Sequence, residues 1–587
     1  MAYENPIPLR WRGNRPVRPP RPRPPAAHRV AIVGAGPTGV YTLAALLRQA
    51  PSRLHVDIFE KGSAAGPGMP YSADMNAPVM LSNIASRELP PVLTSLNHWL
   101  RGLDTSDLAR LGLRAAQISD EAFYPRLALG AYFTAQMSDV IALGRRQGHR
   151  IELHLHHTVT DIAPRAAGVE LAWRSPGSAS KALYADAVLA TGHRWPDRTC
   201  AGGAVLQSPW PAEKLTRLPQ QRIGVLGTSL SAIDVAVTIA SARGRFCEEG
   251  GRMRYVAQDG REPFLLSLMS RKGLLPEADY WYDLPLPELP RLAGICAEAS
   301  DMEVSGVEEG ALLDRAYRAF LADLQAADPA WLAGLGGPDV PCDASCHAYF
   351  AKRLAADPFD WARANLVEAE ETVASKTPTP WRSALLRAHE LFEELIPRFS
   401  DAEVAAFHAT LKPLFTDCYA CVPHPSIKRL LALREAGVLE VLRLGEHTGD
   451  ESQITACAQG VSVRRGGQES VFEMLIDARG QRAMTLADLG FPSLARADLL
   501  SEPLRFDAFV LPLAAPCAGR IHCVALPALL RRHPFVQGLV NASEMGGETA
   551  AMIAKAMHRT NEAACGAQRL PIASRRRPLA RMCRKGG

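Results

Sequence analysis

The chain has no apolar run long enough to cross a bilayer, which excludes a helical membrane span. It has no cysteine before Cys200, and its twelve cysteines follow no disulfide rhythm. Residues 1–27 are rich in proline and arginine and lack the apolar h-region of a secretory signal. These absences predict a reducing, cytoplasmic setting. The pairs Cys418/Cys421 and Cys342/Cys346, the latter followed by His347, lack the spacing of a standard zinc module and fall in helical pattern. No metal site is expected.

The composition is ordinary for a globular protein, and 587 residues suffice for two or three domains. The net charge of +5 is misleading. The basic excess sits in residues 1–27 and 569–587, and the body between them is mildly acidic. Such ends are expected to be solvated, disordered tails, with no nucleic acid and no membrane as partner.

What is present is one phosphate-cradling pattern written twice. The first copy is Val33-Gly34-Ala35-Gly36-Pro37-Thr38-Gly39 after a buried strand over 28–33. Gly34 makes the tight turn, Gly36 lets backbone approach a pyrophosphate, and Gly39 lets helix pack on strand. Pro37 opens a helix over 38–48, whose N-terminus favours anions. A second strand over 54–59 ends at Glu60-Lys61, an acid placed to bind a ribose.

The second copy is relaxed: Gly227-Thr228-Ser229-Leu230-Ser231-Ala232, between a strand over 221–226 and a helix over 231–240. An apolar strand over 264–269 then ends in Ser270-Arg271-Lys272. A hydroxyl and two cations there suit a 2′-phosphate, hence NADPH. The long gap before Ser270 predicts an inserted hairpin or loop over 248–263. Two dinucleotide sites in one chain imply hydride passing from a nicotinamide to a flavin, so FAD and NADPH are the expected cofactors.

Residues 69–91, punctuated by glycine and proline, are expected to run over the flavin. A helix is predicted over 121–140, carrying Arg126. Strand-like stretches follow over 150–163, 169–173 and 182–190, the last leading to Thr191-Gly192-His193. Residues 439–444, 460–465 and 471–476 repeat that logic and end in Asp477-Ala478-Arg479-Gly480. Residues 276–436 have helical period and read as an insertion. Gln537-Gly538 precedes a last helix, predicted over 548–557, where a flavoprotein places a helix end near its flavin. The expected class is therefore α/β, with two Rossmann-like dinucleotide-binding domains and a helical insertion. The domain expectation is an FAD-binding part over 28–217 and 484–568. An NADPH-binding part spans 218–275 and 437–483, with the insertion over 276–436.

With these residues the chain resembles the FAD-NAD(P)-binding family of two-domain flavoproteins. The resemblance rests on residues 33–39, Gly66-Pro67-Gly68-Met69-Pro70-Tyr71, Ser270-Arg271-Lys272-Gly273-Leu274-Leu275-Pro276, Asp417-Cys418-Tyr419-Ala420-Cys421-Val422-Pro423 and residues 430–437. The branch it resembles contains flavin-dependent amine N-monooxygenases, including enzymes that convert L-aspartate to nitrosuccinate. The resemblance implies an NADPH-dependent enzyme that hydroxylates an amine or amino-acid nitrogen with O2 through a C4a-hydroperoxyflavin. A homodimer is compatible with it.

Asn83, Arg87 and His193 are then the candidate catalytic residues, with Arg87 and Arg126 as cationic anchors for an acidic substrate. Arg126 has a second reading as a pyrophosphate ligand. The Baeyer–Villiger fingerprint is half present: Gly202, Trp210 and Pro211 stand in place, but Leu206 replaces its histidine. That argues against ketone insertion. The alternative is a reductase that passes electrons to a quinone, a protein or a dithiol, with Cys418 and Cys421 as the relay.

Overall fold

The computed structural model describes residues 27–260, 263–301, 311–445, 453–465, 467–496, 498–500, 509–514 and 516–567. The expected tails, residues 1–26 and 569–587, lie outside the described residues.

Two parallel sheets carry the chain. In the first, the strand order is Arg520–Cys523, Asp186–Leu189, His28–Val33, Leu54–Phe59, Arg150–His154, all parallel. His28–Val33 and Leu54–Phe59 are almost entirely buried. Val30-Ala31-Ile32-Val33 is continuously apolar, as suits a strand covered on both faces, whereas Leu54–Phe59 carries His55 and Asp57 among its apolar residues. The helices Pro37–Gln49 and Leu539–Ala567 pack closely against each other beside this sheet.

The second sheet runs Leu439–Arg443, Leu265–Ser270, Arg222–Leu226, Met474–Asp477, Val205–Gln207, Arg198–Thr199. Its pairs are parallel except the last. Each parallel sheet has a three-stranded antiparallel companion. These are Thr158–Arg165, Gly168–Ser175 and Ser178–Tyr184 for the first, and Ile454–Cys457, Gly460–Arg465 and Gln468–Phe472 for the second. The α/β class and the duplicated nucleotide-binding plan are therefore present. Between Leu265–Ser270 and Leu439–Arg443, the described residues of the expected insertion form helices from Pro290–Asp301 to His424–Glu435.

Several expected boundaries move, each for a local reason. The helix predicted over 121–140 is Arg126–Arg146. Pro125 holds Tyr124 out of helical conformation, and the Tyr124 hydroxyl instead donates to Asn97. The stretch 182–190 is two strands that turn a corner at Ala185, and 471–476 turns one at Glu473. Strand-like sequence continues on both sides of Asp186 and Glu473 and hides such corners. The inserted hairpin is real but begins earlier, pairing Gly244–Glu249 with Arg252–Ala257.

The last helix begins at Leu539, well before the predicted 548. The helix runs through Gly546-Gly547, and Gly546 is a packing residue. A Cβ there would lie 2.8 Å from the Thr42 backbone nitrogen on Pro37–Gln49. The glycine lets two helices approach closely, and tertiary contact outweighs its poor helix propensity. Among the described residues, no helix is long and apolar enough to cross a membrane.

Candidate functional site

The two glycine turns are built alike. Gly34 donates its N–H to Phe59 O at 2.8 Å, and Gly227 donates to Met269 O at 2.6 Å. Ala190 donates to Val33 O and Ala478 to Leu226 O, both at 2.8 Å. Both glycines have positive φ, 103° and 117°. A Cβ on Gly34 would sit 2.2 Å from Ala190 O, and one on Gly227 2.6 Å from Ala478 O. Only glycine fits either position. Asp477-Ala478-Arg479-Gly480 thus stands to the second turn as Ala190-Thr191-Gly192 stands to the first.

Neither helix that follows has a side-chain cap. Pro37–Gln49 starts from Gly36, and Leu230–Arg243 starts from Ser229, without a capping hydrogen bond. Elsewhere Asp104, Asp328, Asp357 and Ser400 cap their helices. An uncapped N-terminus opening on a cavity suits a phosphate oxygen. Glu60 takes backbone N–H bonds from Ala35 at 3.0 Å and Gly62 at 2.8 Å. These hold its carboxylate beside the first turn, and each oxygen keeps acceptor capacity for a ribose.

Both turns open on one cavity of about 2220 Å³. Its wall includes Gly34, Gly36, Pro37, Thr38, Glu60, Lys61, Asn83 and Arg126 from the first half of the site. Thr191, Gly192, His193, Gly227, Ser229, Ser231, Ser270, Arg271, Gln537 and Gly538 also line it. Gln537 and Gly538 bring the start of the Leu539–Ala567 helix to the wall. Three predicted residues, Gly39, Arg87 and Lys272, do not line it. Gly39 lies beneath the first turn, where a Cβ would meet Gly34 O at 2.4 Å, so its role is packing.

Arg87, expected as a catalytic anchor, turns away from the cavity. Its guanidinium lies over the rings of Trp281 and Tyr282, at 4.4 and 4.8 Å, and donates to Tyr282 O at 3.0 Å. It ties residues 86–88 to the segment that leads into the helical insertion. Lys272 also leaves the nucleotide wall. Its Nζ is 3.1 Å from the Phe350 ring centre, and burial lowers its pKa to about 8. Arg271 alone of that cationic pair faces the cavity. Ser270 Oγ accepts from Thr228 Oγ1 at 3.2 Å and from Gly273 N at 3.0 Å, so it also fixes the turn.

Arg126 lines the cavity but is already engaged. It donates to Asp234 Oδ2 at 2.5 Å and to Leu81 O at 3.2 Å. Asp234 lies on the Leu230–Arg243 helix, so this pair pins the first nucleotide unit to the second. Burial raises the Asp234 pKa to about 6, against the pull of Arg126. For His193, burial, aided by Arg126, lowers the pKa to about 4. It is neutral at pH 7 and a poor base, with Nδ1 buried and lacking a hydrogen bond.

The far wall holds residues that sequence reasoning missed. Glu390, Glu393 and Glu394 come from the helix Pro380–Leu395, and Glu544 and Glu548 from Leu539–Ala567. Arg387 and Arg398 line the same end, and Arg387 donates to Glu390 at 2.7 Å. Burial, then the neighbouring Glu544, Glu390 and Glu548, raises the Glu393 pKa to about 8. Glu544 and Glu548 are shifted upward as well. The i, i+3 and i, i+4 spacings within each helix were visible in sequence. That the two acidic faces meet was not.

The cysteine relay finds no support in the geometry. Cys418 and Cys421 are buried and do not line the cavity. Burial raises the Cys418 thiol to about 12, and its sulfur is 3.1 Å from the Tyr280 hydroxyl. A thiolate is the reactive form, so this is an inert environment. Leu206, at the histidine position of the Baeyer–Villiger fingerprint, is fully buried in the second sheet.

A protein-family model described as FAD-NAD(P)-binding matches residues 31–194, and a YdhS-like middle domain matches residues 298–419. The protein YdhS of Escherichia coli is 36% identical over 532 residues, covering 90% of this chain and 97% of that protein. Among solved structures, the chain is similar to ornithine N-hydroxylase of Kutzneria sp. 744. That match has 15% identity, 91% of this chain, 100% of that chain and TM-score 0.45. It is also similar to the reduced form of ornithine hydroxylase from Pseudomonas aeruginosa, with 13% identity, 91% and 100% coverage and TM-score 0.48.

Proposed function

The chain belongs to the YdhS family and carries an FAD-NAD(P)-binding domain and a YdhS-like middle domain, and from that premise we propose that it is an FAD- and NADPH-dependent monooxygenase that hydroxylates a deprotonated amine nitrogen of a diamine or basic amino acid, whose second, cationic group serves as the anchor. The observation that carries this reading is the single cavity on which both glycine turns open. Two cofactors held there share one space, as hydride transfer requires.

The residues fit both cofactors. The turn at Gly34–Gly36, the uncapped helix at Pro37 and the Glu60 carboxylate would hold the FAD pyrophosphate and ribose. The turn at Gly227, the helix starting after Ser229, and Ser270 with Arg271 would hold NADPH. When bound, the nicotinamide supplies the hydride and the flavin activates oxygen. The protein's part is to orient both and to keep water from the reacting centre. Asn83 and the neutral His193 line the wall between the turns and offer hydrogen bonds to substrate.

The charges select the substrate. Arg87 and Arg126 are committed to protein partners, so an acidic amino acid has lost its expected anchors. The cavity wall also carries carboxylates from two helices. An ammonium group docked there would favour the ionised form of Glu393, which holds its proton at neutral pH. Linear diamines and basic amino acids fit this chemistry better than L-aspartate.

With purified protein, NADPH and 18O2, diamines, L-lysine and L-ornithine are expected to raise NADPH consumption and to carry label into an N–O product. L-Aspartate should not. Glu393→Gln is expected to raise KM for the amine with little change in kcat. If every amine leaves the rate unchanged, and electrons pass readily to a quinone, the reductase reading replaces this one.

Cofactor choice has its own test. Arg271→Ala should raise KM for NADPH about tenfold or more, the loss of a charge-assisted contact of about 1.5–3 kcal/mol, and leave NADH nearly unchanged. Equal effects on both nucleotides would mean that Arg271 does not meet the 2′-phosphate.

A further inference from the structure

We propose that His55, Asp57, Glu152 and His154 form a binding site for a divalent transition-metal ion of the Zn2+ type, at the edge of the first parallel sheet. Leu54–Phe59 and Arg150–His154 are neighbouring parallel strands, with Asp57 opposite Glu152 and Phe59 opposite His154. Side chains two apart on a strand share a face, and paired residues in register point the same way. His55, Asp57, Glu152 and His154 therefore converge on one side.

The separations suit a metal. His55 Nε2 is 3.5 Å from Asp57 Oδ1, and His154 Nε2 is 3.1 Å from the same oxygen. His154 Nε2 is 3.9 Å from Glu152 Oε2. One ligand atom each from His55, Asp57 and Glu152 lies within 4.8 Å of the others. In a tetrahedral site with bonds of about 2.0–2.2 Å, ligand atoms stand roughly 3.3–3.6 Å apart. Side-chain adjustments bring His55, Asp57 and Glu152 to that geometry, and His154, which stands outside this group of three, joins them by turning its ring off Asp57.

The surrounding donors orient the carboxylates. Asp57 Oδ2 accepts from Arg29 at 3.0 Å and from the Tyr184 hydroxyl at 2.9 Å, which turns Oδ1 toward the imidazoles. Glu152 Oε1 accepts from Arg150 Nε at 2.7 Å, leaving Oε2 on the histidine side. Partners on the outer atoms of metal ligands are a general feature of metal sites. His55 Nε2, meanwhile, is buried without a hydrogen-bond partner. A buried ring nitrogen left this way costs free energy that a metal bond would recover.

The donor set names the ion. Two imidazoles with two carboxylates suit Zn2+ or a similar borderline ion, whereas Mg2+ and Ca2+ take oxygen-only shells. The position gives the site a consequence. Glu60 donates its N–H to His154 O at 2.9 Å, and His157 donates to Glu60 O at 2.9 Å. Phe59 also stacks on the His154 ring at 5.0 Å. An ion clamping the two strands would stiffen the backbone that presents Glu60 to the first glycine turn.

The test uses the full-length flavoprotein after chelator treatment, titrated with Zn2+ and with Mg2+ by calorimetry. One equivalent of Zn2+ should bind, and Mg2+ should not. Co2+ in place of Zn2+ should show ligand-field bands without a thiolate charge-transfer band. The double variant His55→Gln/His154→Gln should bind Zn2+ at least a hundredfold more weakly while remaining folded in the metal-free form. Should that variant fail to fold, Tyr184→Phe should weaken binding about tenfold to a hundredfold, the usual effect of losing an outer-shell partner. No Zn2+ binding, binding unchanged in these variants, or a thiolate band from cobalt would each overturn the proposal.

Discussion

Gly36→Val is expected to purify as a folded, colourless protein. The Gly36 backbone is extended, with φ −76° and ψ −173°, so valine meets no conformational penalty there. Its Cβ would lie 3.2 Å from Gly68 Cα, a contact that a shift of a few tenths of an ångström relieves. The remaining methyl groups would occupy the cavity where the pyrophosphate approaches the chain. Gly34→Ala is the contrasting case. Its Cβ would press on the Ala190 carbonyl oxygen, inside the sheet, at a residue with φ of 103°. The left-handed backbone alone costs about 1–2 kcal/mol, and the clash adds to it. That protein should be lost to aggregation or proteolysis, whereas Gly36→Val should keep its far-ultraviolet circular dichroism and lose only its flavin absorbance. A normal flavin spectrum in Gly36→Val would remove the first turn from the cofactor site.

Arg126→Met should cost about 2–3 kcal/mol at pH 8, because Asp234 loses its arginine and must either stay charged while buried or take up a proton well above its wild-type pKa of about 6. Asp234→Asn should cost less, about 0.5–1.5 kcal/mol, since an amide oxygen still accepts from Arg126. The asymmetry follows from the Asp234 pKa, raised from 3.8 to about 6 by burial even with its partner present. A folded-state value above the unfolded one means that the folded protein binds the extra proton. Stability from this group is therefore fully present below about pH 4 and falls as pH rises through 6. Removing Arg126 lifts the folded value further and extends the loss to higher pH. Urea unfolding of Arg126→Met should thus show a small deficit at pH 5 and a large one at pH 8. A deficit independent of pH would locate the effect in lost packing rather than in Asp234.

These two cases differ in how far they could be read from the chain alone. A glycine that turns a strand into a helix answers to its immediate neighbours, so Gly34, Gly36 and Gly227 were legible from spacing. Arg126 is different. Its position in sequence was compatible with a pyrophosphate or a substrate, and its partner Asp234 is 108 residues away. Arg87 was read as an anchor for the same reason, and its partners Trp281 and Tyr282 are equally remote. A cation's partner is chosen by whatever the fold brings within reach, and charge alone does not reveal it.

Local backbone requirements therefore determined the two nucleotide-binding units, the strands around them and the helical character of residues 276–436, because φ, helical period and strand burial act over a few residues. Only the tertiary structure decided the rest. It ran the last helix through Gly546-Gly547, since that glycine packs on Thr42. It turned strand corners at Ala185 and Glu473, where strand-like sequence continues on both sides of the corner while the chain leaves one sheet for another. It set the carboxylates of Pro380–Leu395 against those of Leu539–Ala567 across one cavity. Each of these depends on contacts between distant segments, whose free energy arises on packing and leaves no periodic trace in the chain.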